Sequence, residues 1–431
     1  MRNKAVVFLV LFAFLGVLTL WSGGQQDSVE AKGKISVMVI RLTEEAVAKF
    51  EEEFPGIKLE VQVRPFPDIF NHIEVAMQAE SADPDVVPID APLVYPYAYK
   101  GWLEPLDEWI PRDLVDQHAQ IEVDSGTYNG QLVAAPHQIS IDLCIYNKDM
   151  FEEAGLALPP QVPESMTWEE LVPAAQKLVK KDAAGNVVTW GFIIEQPDMP
   201  YEVGNMIQSL GGKCIGDDEF TVRGVIDTEP WRKALQFYGD IYNKWNLAPT
   251  ENPWAPIMLM EQKTAMITAG PWGCPTWSNA ETIDFEMGTT AYPHFEGGKV
   301  VNNCGGWHWG INSNSRNKKA AAEFLKWQMR PDINYWLWET GYADIGMTSV
   351  KSMLEKVRTD PKYSDYPEKL RRDYAMVAGH DELPRARTPG WLEYRTIFIT
   401  EAGNVRMGQK EVDQALEDMI TDMENEFKKY Q

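Results

Sequence analysis

Beyond residue 25 the chain has no apolar run near the roughly 20 residues needed to cross a bilayer, which excludes a multi-span membrane protein. It also lacks basic excess: 40 Lys and Arg against 64 Asp and Glu leave a net charge of −24. Nucleic acids and anionic membranes are poor partners for such a chain, because binding them requires a basic patch to displace counterions. A neutral ligand suits the charge better than an anionic one. G-x-S-x-G, H-E-x-x-H, a Walker-type phosphate loop and a G-x-G-x-x-G turn are all missing, so the common hydrolase and nucleotide chemistries find no foothold. Cysteine is sparse. Cys144, Cys214, Cys274 and Cys304 are too widely spaced for a metal motif or a C-x-x-C redox pair. In an oxidising compartment they allow up to two disulfides in three connectivities, with Cys144, in its apolar run, reading as an inert buried thiol. The six histidines, His72, His118, His137, His294, His308 and His380, are scattered and do not form a ligand cluster, so no metal or other cofactor is expected.

What is present begins with a leader. Arg2 and Lys4 precede sixteen uncharged residues at 5–20, too short and too one-sidedly flanked for a span, so residues 1–24 read as a secretory signal. No cysteine follows the apolar run to carry a lipid. The polar residues 25–33 form a tether, and the chain is expected to be exported, to the periplasm or the outer face of the cytoplasmic membrane. Its 431 residues, 44% of them hydrophobic, exceed the ~250–300 at which a single core stops growing, which predicts two lobes, both α/β.

Local signals support that class. A β-rich run at 35–41 precedes Thr43, a helix cap followed by Glu44 and Glu45, and Ala46, Val47, Phe50 and Phe54 then share one face before Pro55-Gly56. Residues 57–63 alternate with period two, completing a strand, helix, strand unit of the parallel kind. A third strand is expected at 86–90. Thr167 and Glu170 make a capping box ahead of Leu171, Ala174, Ala175 and Leu178. Near the end, Val412, Ala415, Leu416, Met419, Ile420, Met423 and Phe427 define the buried stripe of a packed helix.

Several stretches in shared order carry a family resemblance: EEEFPGI at 51–57, PDVV at 84–87, GWLEPL at 101–106, YNGQL at 128–132, IYNKD at 145–149, TAMI at 264–267 leading to GPW at 270–272, residues 320–327, and Gly408 leading to EVDQAL at 411–416. Across nearly the whole mature chain this resembles the bacterial extracellular solute-binding family that includes maltose-binding protein. The resemblance implies a two-lobed periplasmic-binding-protein-like fold of type II, each lobe a mainly parallel sheet flanked by helices, with ligand in the cleft between them. It implies three crossings, near 133–136, 305–310 and 341–346, giving an N-lobe of 34–134 plus 307–344 and a C-lobe of 135–306 plus 345–431. It further implies a monomer that captures a small carbohydrate and delivers it to the membrane permease subunits of an ABC transporter, without catalysis.

Sugars present apolar C–H faces and a rim of hydroxyls, so the candidates pair flat rings with fixed polar groups. Trp272 lies where the resemblance places a stacking aromatic, Trp307 sits at a crossing, and Trp391 with Tyr394 falls in a C-terminal cleft segment. Core packing is the alternative for each. Asp90 ends the third expected strand, and carboxyl ends of parallel strands open onto the crevice; its alternative is a helix N-cap. His137, Gln138, Ser140 and Asp142 follow the first crossing, where alternation aims only some of them inward. Glu195 and Tyr342 complete the set. Three other readings stay open: the same fold holding a glycerol phosphate or polyol, with Arg385 and Arg387 as phosphate partners; a ligand-sensing subunit; and a secreted glycoside hydrolase, which would also show many tryptophans and carboxylates.

Overall fold

The computed structural model describes residues 32–66, 68–274, 283–303, 305–344, 346–380 and 382–431. The expected signal, most of the tether and Cys304 lie outside them. The chain opens with the strand Gly33–Val39, whose last five residues are buried. Thr43 then caps the helix Glu44–Glu53, its Oγ1 accepting from the Ala46 N–H at 3.4 Å, and Ala46 and Phe50 turn inward. The strand Ile57–Val63 runs parallel beside Gly33–Val39 in register, and Val86–Asp90 adds in parallel on the other side.

This first sheet has six strands, in the order Met347–Thr348, Ala135–Ile139, Trp307–Ile311, Val86–Asp90, Gly33–Val39, Ile57–Val63. A second sheet of five strands has Leu143–Asn147 at its centre, with Met266–Ala269 and Met287–His294 antiparallel on either side, and Ile193–Ile194 and Ser165–Thr167 parallel at the edges. Both sheets are therefore mixed but mainly parallel in direction, with Trp307–Ile311 and Met347–Thr348 reversed in the first and Leu143–Asn147 in the second. The reason lies in the crossings. A strand arriving from the other lobe starts at the edge where the parallel strands end, so Trp307 pairs with Asp90 and its strand runs the opposite way.

Sheet membership also moves the crossings. Ala135–Ile139 pairs within the first sheet and Leu143–Asn147 within the second, so the first change-over lies at 139–143, beyond the expected 133–136. Met347–Thr348 still pairs with Ala135–Ile139, which carries the third beyond 341–346. Asn302–Asn303 pairs with Glu382–Leu383 away from the first sheet, leaving the second crossing just before Trp307.

In the second lobe the Thr167 capping box is present: its Oγ1 accepts from the Glu170 N–H at 3.2 Å, and Glu170 Oε2 accepts the Thr167 N–H at 2.9 Å. All seven stripe residues of the helix Val412–Phe427 are buried, and the helix packs against Trp391–Arg406. Cys144 and Cys214 are free thiols, which rules out two disulfides. Burial drives both thiols upward, Cys214 to about 12, so neither is nucleophilic at neutral pH.

Candidate functional site

Where the two sheets face one another, Asp90 stands at the carboxyl end of its strand. It precedes the short 3-10 helix Ala91–Leu93 but makes no side-chain cap bond. Its carboxylate is taken by Arg385, which reaches across from beyond Glu382–Leu383 and donates from both Nη atoms, one bond being 3.2 Å. The pair is largely enclosed, with side-chain exposures of 8% for Arg385 and 21% for Asp90. The guanidinium lies over the rings of Tyr201 and Trp391, at 5.4 and 5.9 Å from their centroids. Asp90 is thus an interlobe tie as well as an acceptor at the cleft.

Trp307 is half-buried next to Asp90 across the ladder. Its ring stacks on Phe70 at 5.7 Å, and Phe66, 56% exposed, meets both rings edge-on. Phe66 and Phe70 were missed in the sequence, although Phe66 follows the strand Ile57–Val63 and the rule that selected Asp90 selects it too.

The facing wall is built around Glu195, at the end of Ile193–Ile194. The indole N–H groups of Trp254 and Trp272 donate to its Oε1 at 3.0 and 2.9 Å, and the Gly270 N–H donates to Oε2 at 3.2 Å. Trp272 lies 6.0 Å from the Tyr201 ring, and its indole folds across Gly270, where any Cβ would fall 2.1 Å from the ring. Only glycine fits there. Burial raises the Glu195 carboxyl to about 7 against the pull of its three donors. Expected as a free acceptor for ligand, Glu195 is instead enclosed behind the tryptophans. Trp254, 45% exposed, was not anticipated; an isolated tryptophan before a short helix carries no sequence signal of its own.

Beneath this wall lie more carboxyls. Asp142 is fully buried and its oxygens make no bond of good geometry among the described residues. Burial, Glu202 and Glu195 push it well up, and the Tyr201 hydroxyl draws it back only in part. Glu202 accepts from Thr268 and Tyr292 at 2.9 and 3.2 Å, and burial with the Glu195 charge raises it to about 8.

The remaining candidates are placed elsewhere. His137 packs against Trp309 at 5.1 Å inside the first lobe, and burial holds it neutral, down to about 3. Gln138 accepts the Gly346 N–H through its Oε1, and the Ser140 carbonyl accepts the Gly305 N–H at 3.1 Å, so both bind crossing segments together. Tyr342 meets Trp336 edge-on at 5.2 Å, and its carbonyl caps Thr43. Trp391 and Tyr394, 2% and 1% exposed, stack at 5.5 Å and continue onto Phe398. They form a core ladder with Arg385 at its end, because the first turn of Trp391–Arg406 faces inward. A cavity of about 1160 Å³ is bordered by Tyr95, Gln208, Lys213, Lys299, Arg385 and Arg387. Among the described residues no group of three or more His, Cys, Asp or Glu is placed to hold a metal, and no helix is long and apolar enough to cross a membrane.

The family model described as bacterial extracellular solute-binding protein matches residues 39–334. The chain belongs to that family. It is 24% identical over 378 residues to a maltotriose-binding protein of Pyrococcus abyssi, covering 84% of this chain and 73% of that one. It is 26% identical over 271 residues to a probable ABC transporter-binding protein of Deinococcus radiodurans, covering 58% of this chain. The match spans 59% of that relative's length. Among solved structures, an ABC substrate-binding protein of Listeria monocytogenes in complex with cycloalternan superposes with a TM-score of 0.78 at 20% identity, covering 93% of this chain and 99% of that one. The maltose/maltodextrin-binding domain of Bdellovibrio bacteriovorus bound to maltotriose gives 0.74 at 19% identity, covering 92% and 100%. Those likenesses establish the two-lobed fold, and the family and its neighbours are binding proteins.

Proposed function

We propose that this protein is the extracytoplasmic substrate-binding component of an ABC importer, capturing a carbohydrate between its lobes without transforming it. The observation that carries the reading is a cleft with exposed or half-exposed rings on both sides: Trp307, Phe70 and Phe66 on one, Trp272 and Trp254 on the other. Stacked rings supply area for the C–H faces of a sugar, while polar groups select among hydroxyl patterns, since a buried hydroxyl without a partner costs ~1–3 kcal/mol. A micromolar dissociation constant corresponds to about −8 kcal/mol, within reach of a few stacked rings and several satisfied hydroxyls.

Because each wall belongs to a different sheet, a ligand touching both makes closure favourable only when both half-sites are filled. The lobes exchange chain at 139–143, just before 307, and beyond 348, and the closed form is the one offered to permease subunits. Relatives support a saccharide: a maltotriose-binding protein, and an arabinooligosaccharide-binding protein of Halalkalibacterium halodurans. A glycerol phosphate is a poorer guest, because Asp90 already neutralises Arg385.

The test is a thermal-shift and calorimetry panel of maltotriose, an arabinooligosaccharide, ribitol and glycerol 3-phosphate. At least one saccharide is expected to raise the melting temperature and to be recovered intact. Stabilisation by glycerol 3-phosphate alone, or release of shorter sugars, would overturn the reading. Co-purification with membrane permease subunits tests the transport half.

A further inference from the structure

We infer that Glu195 is a positioning residue of the cleft, aiming the indoles of Trp254 and Trp272 through one carboxylate and thereby making Trp254 part of the ligand wall. Its ligand arm rests on the carbohydrate reading; its structural arm does not.

Among the described residues the Glu195 side chain makes three hydrogen bonds, all to this wall. Oε1 receives two indole N–H groups, using both of its lone pairs, and Oε2 receives the N–H of Gly270, which opens the turn Pro271–Gly273. Trp272 is therefore held twice, at its ring nitrogen and through the backbone that presents it. The Trp254 side chain is held once, at its only polar atom. An exposed indole normally satisfies its N–H with water and keeps its rotamer freedom. Here a tryptophan that is 45% exposed sends its N–H to a carboxylate that is 6% exposed. Enclosing a carboxylate costs free energy that a purely structural contact between two rings does not require. What the arrangement gains is two ring planes set before any ligand arrives, so that less side-chain freedom is lost on binding. Since the nitrogen edges converge on a single oxygen, both rings are referenced to the same point.

Glu195→Gln keeps the volume and removes one acceptor, so in either amide orientation a donor faces a donor. Indole N–H resonances of the ligand-free protein, assigned with Trp254→Phe and Trp272→Phe, read the clamp directly. Both signals are expected to move in Glu195→Gln, with the melting temperature within about 4 °C of wild type. Trp254→Phe, which keeps an aromatic ring but removes the N–H and part of the ring area, is expected to shift the Trp272 signal through the shared oxygen, an arm that survives if Glu195→Gln does not fold. For whichever of maltotriose or an arabinooligosaccharide binds the wild type, Glu195→Gln and Trp254→Ala should each weaken binding ~10-fold or more. Either indole signal unmoved by Glu195→Gln, a Trp272 signal indifferent to Trp254→Phe, or unchanged affinity in both variants overturns the inference. Signals that move while neither sugar binds support the clamp and count against the carbohydrate reading instead.

Discussion

The two lobes bury different sets of strongly shifted titratable groups beside the strands that join them. The first encloses His118, His137 and His308, which burial lowers to about 4, 3 and 4, so all three are neutral. Two of them tie elements together: His118 bridges the Ser349 hydroxyl and the Met329 carbonyl at 2.8 and 3.1 Å, and His308 meets the Glu122 carbonyl at 2.8 Å. The second lobe encloses Asp142, Glu195 and Glu202, all raised. One lobe thus holds neutral imidazoles, while the other holds hydrogen-bonded or enclosed carboxyls that burial keeps protonated towards neutral pH, directly under its aromatic wall. The carboxyls lie under Trp272 and Trp254, whereas the histidines lie inside their lobe, and the comparison to test is whether the second lobe does the finer recognition.

If so, the largest effect should come from its wall. Trp272→Ala is expected to weaken saccharide binding ~100-fold by calorimetry while the fold persists, and Trp307→Ala only ~10-fold; the reverse order would break the comparison.

Next is the tie between lobes. Arg385→Leu leaves Asp90 enclosed without its partner and should lower stability by about 2 kcal/mol in denaturant melts. Small-angle scattering should show a more open ligand-free form, and adding Asp90→Asn should recover most of the loss.

The titrations sharpen the contrast further. Neutral histidines bind fewer protons folded than unfolded, so their contribution is lost as pH falls from 6.5 towards about 4. Raised carboxyls hold their protons when folded, so theirs is fully present below 4.5 and lost as pH rises towards about 8. Urea melts across that range should therefore show opposite slopes, with Glu202→Gln flattening the alkaline-side loss by on the order of 1 kcal/mol. A Glu202→Gln profile parallel to wild type would remove the carboxyl half of the comparison.

The smallest effect belongs to a residue outside both sites. Thr167→Ala removes a helix cap and should cost about 1 kcal/mol in stability, with saccharide affinity unchanged.

Much of the fold was legible because it is local. The strand Ile57–Val63, the third strand ending at Asp90, the Thr167 box and the seven-residue terminal stripe each depend on neighbours within a few positions, and each is where the pattern put it. The site was legible only in part. Trp272 is fixed by Glu195 and Trp307 stacks half-buried on Phe70, yet Trp391 and Tyr394, chosen by the same reasoning, are core. Of the residues after the first crossing, where alternation aims only some inward, His137 is buried against Trp309 and Gln138 holds the Gly346 N–H.

By itself the sequence determined the class of fold, the order of its elements and its wealth of aromatic side chains. Periodicity and capping act over one or two helical turns, and a single chain displays both. Only the tertiary structure decided that Trp254 faces solvent while Trp391 does not, that Asp90 answers Arg385, 295 positions away, and that Glu195 serves two indoles at once. Those outcomes depend on which faces meet after two sheets have packed, and a carboxylate has no preferred partner until packing has brought its donors near.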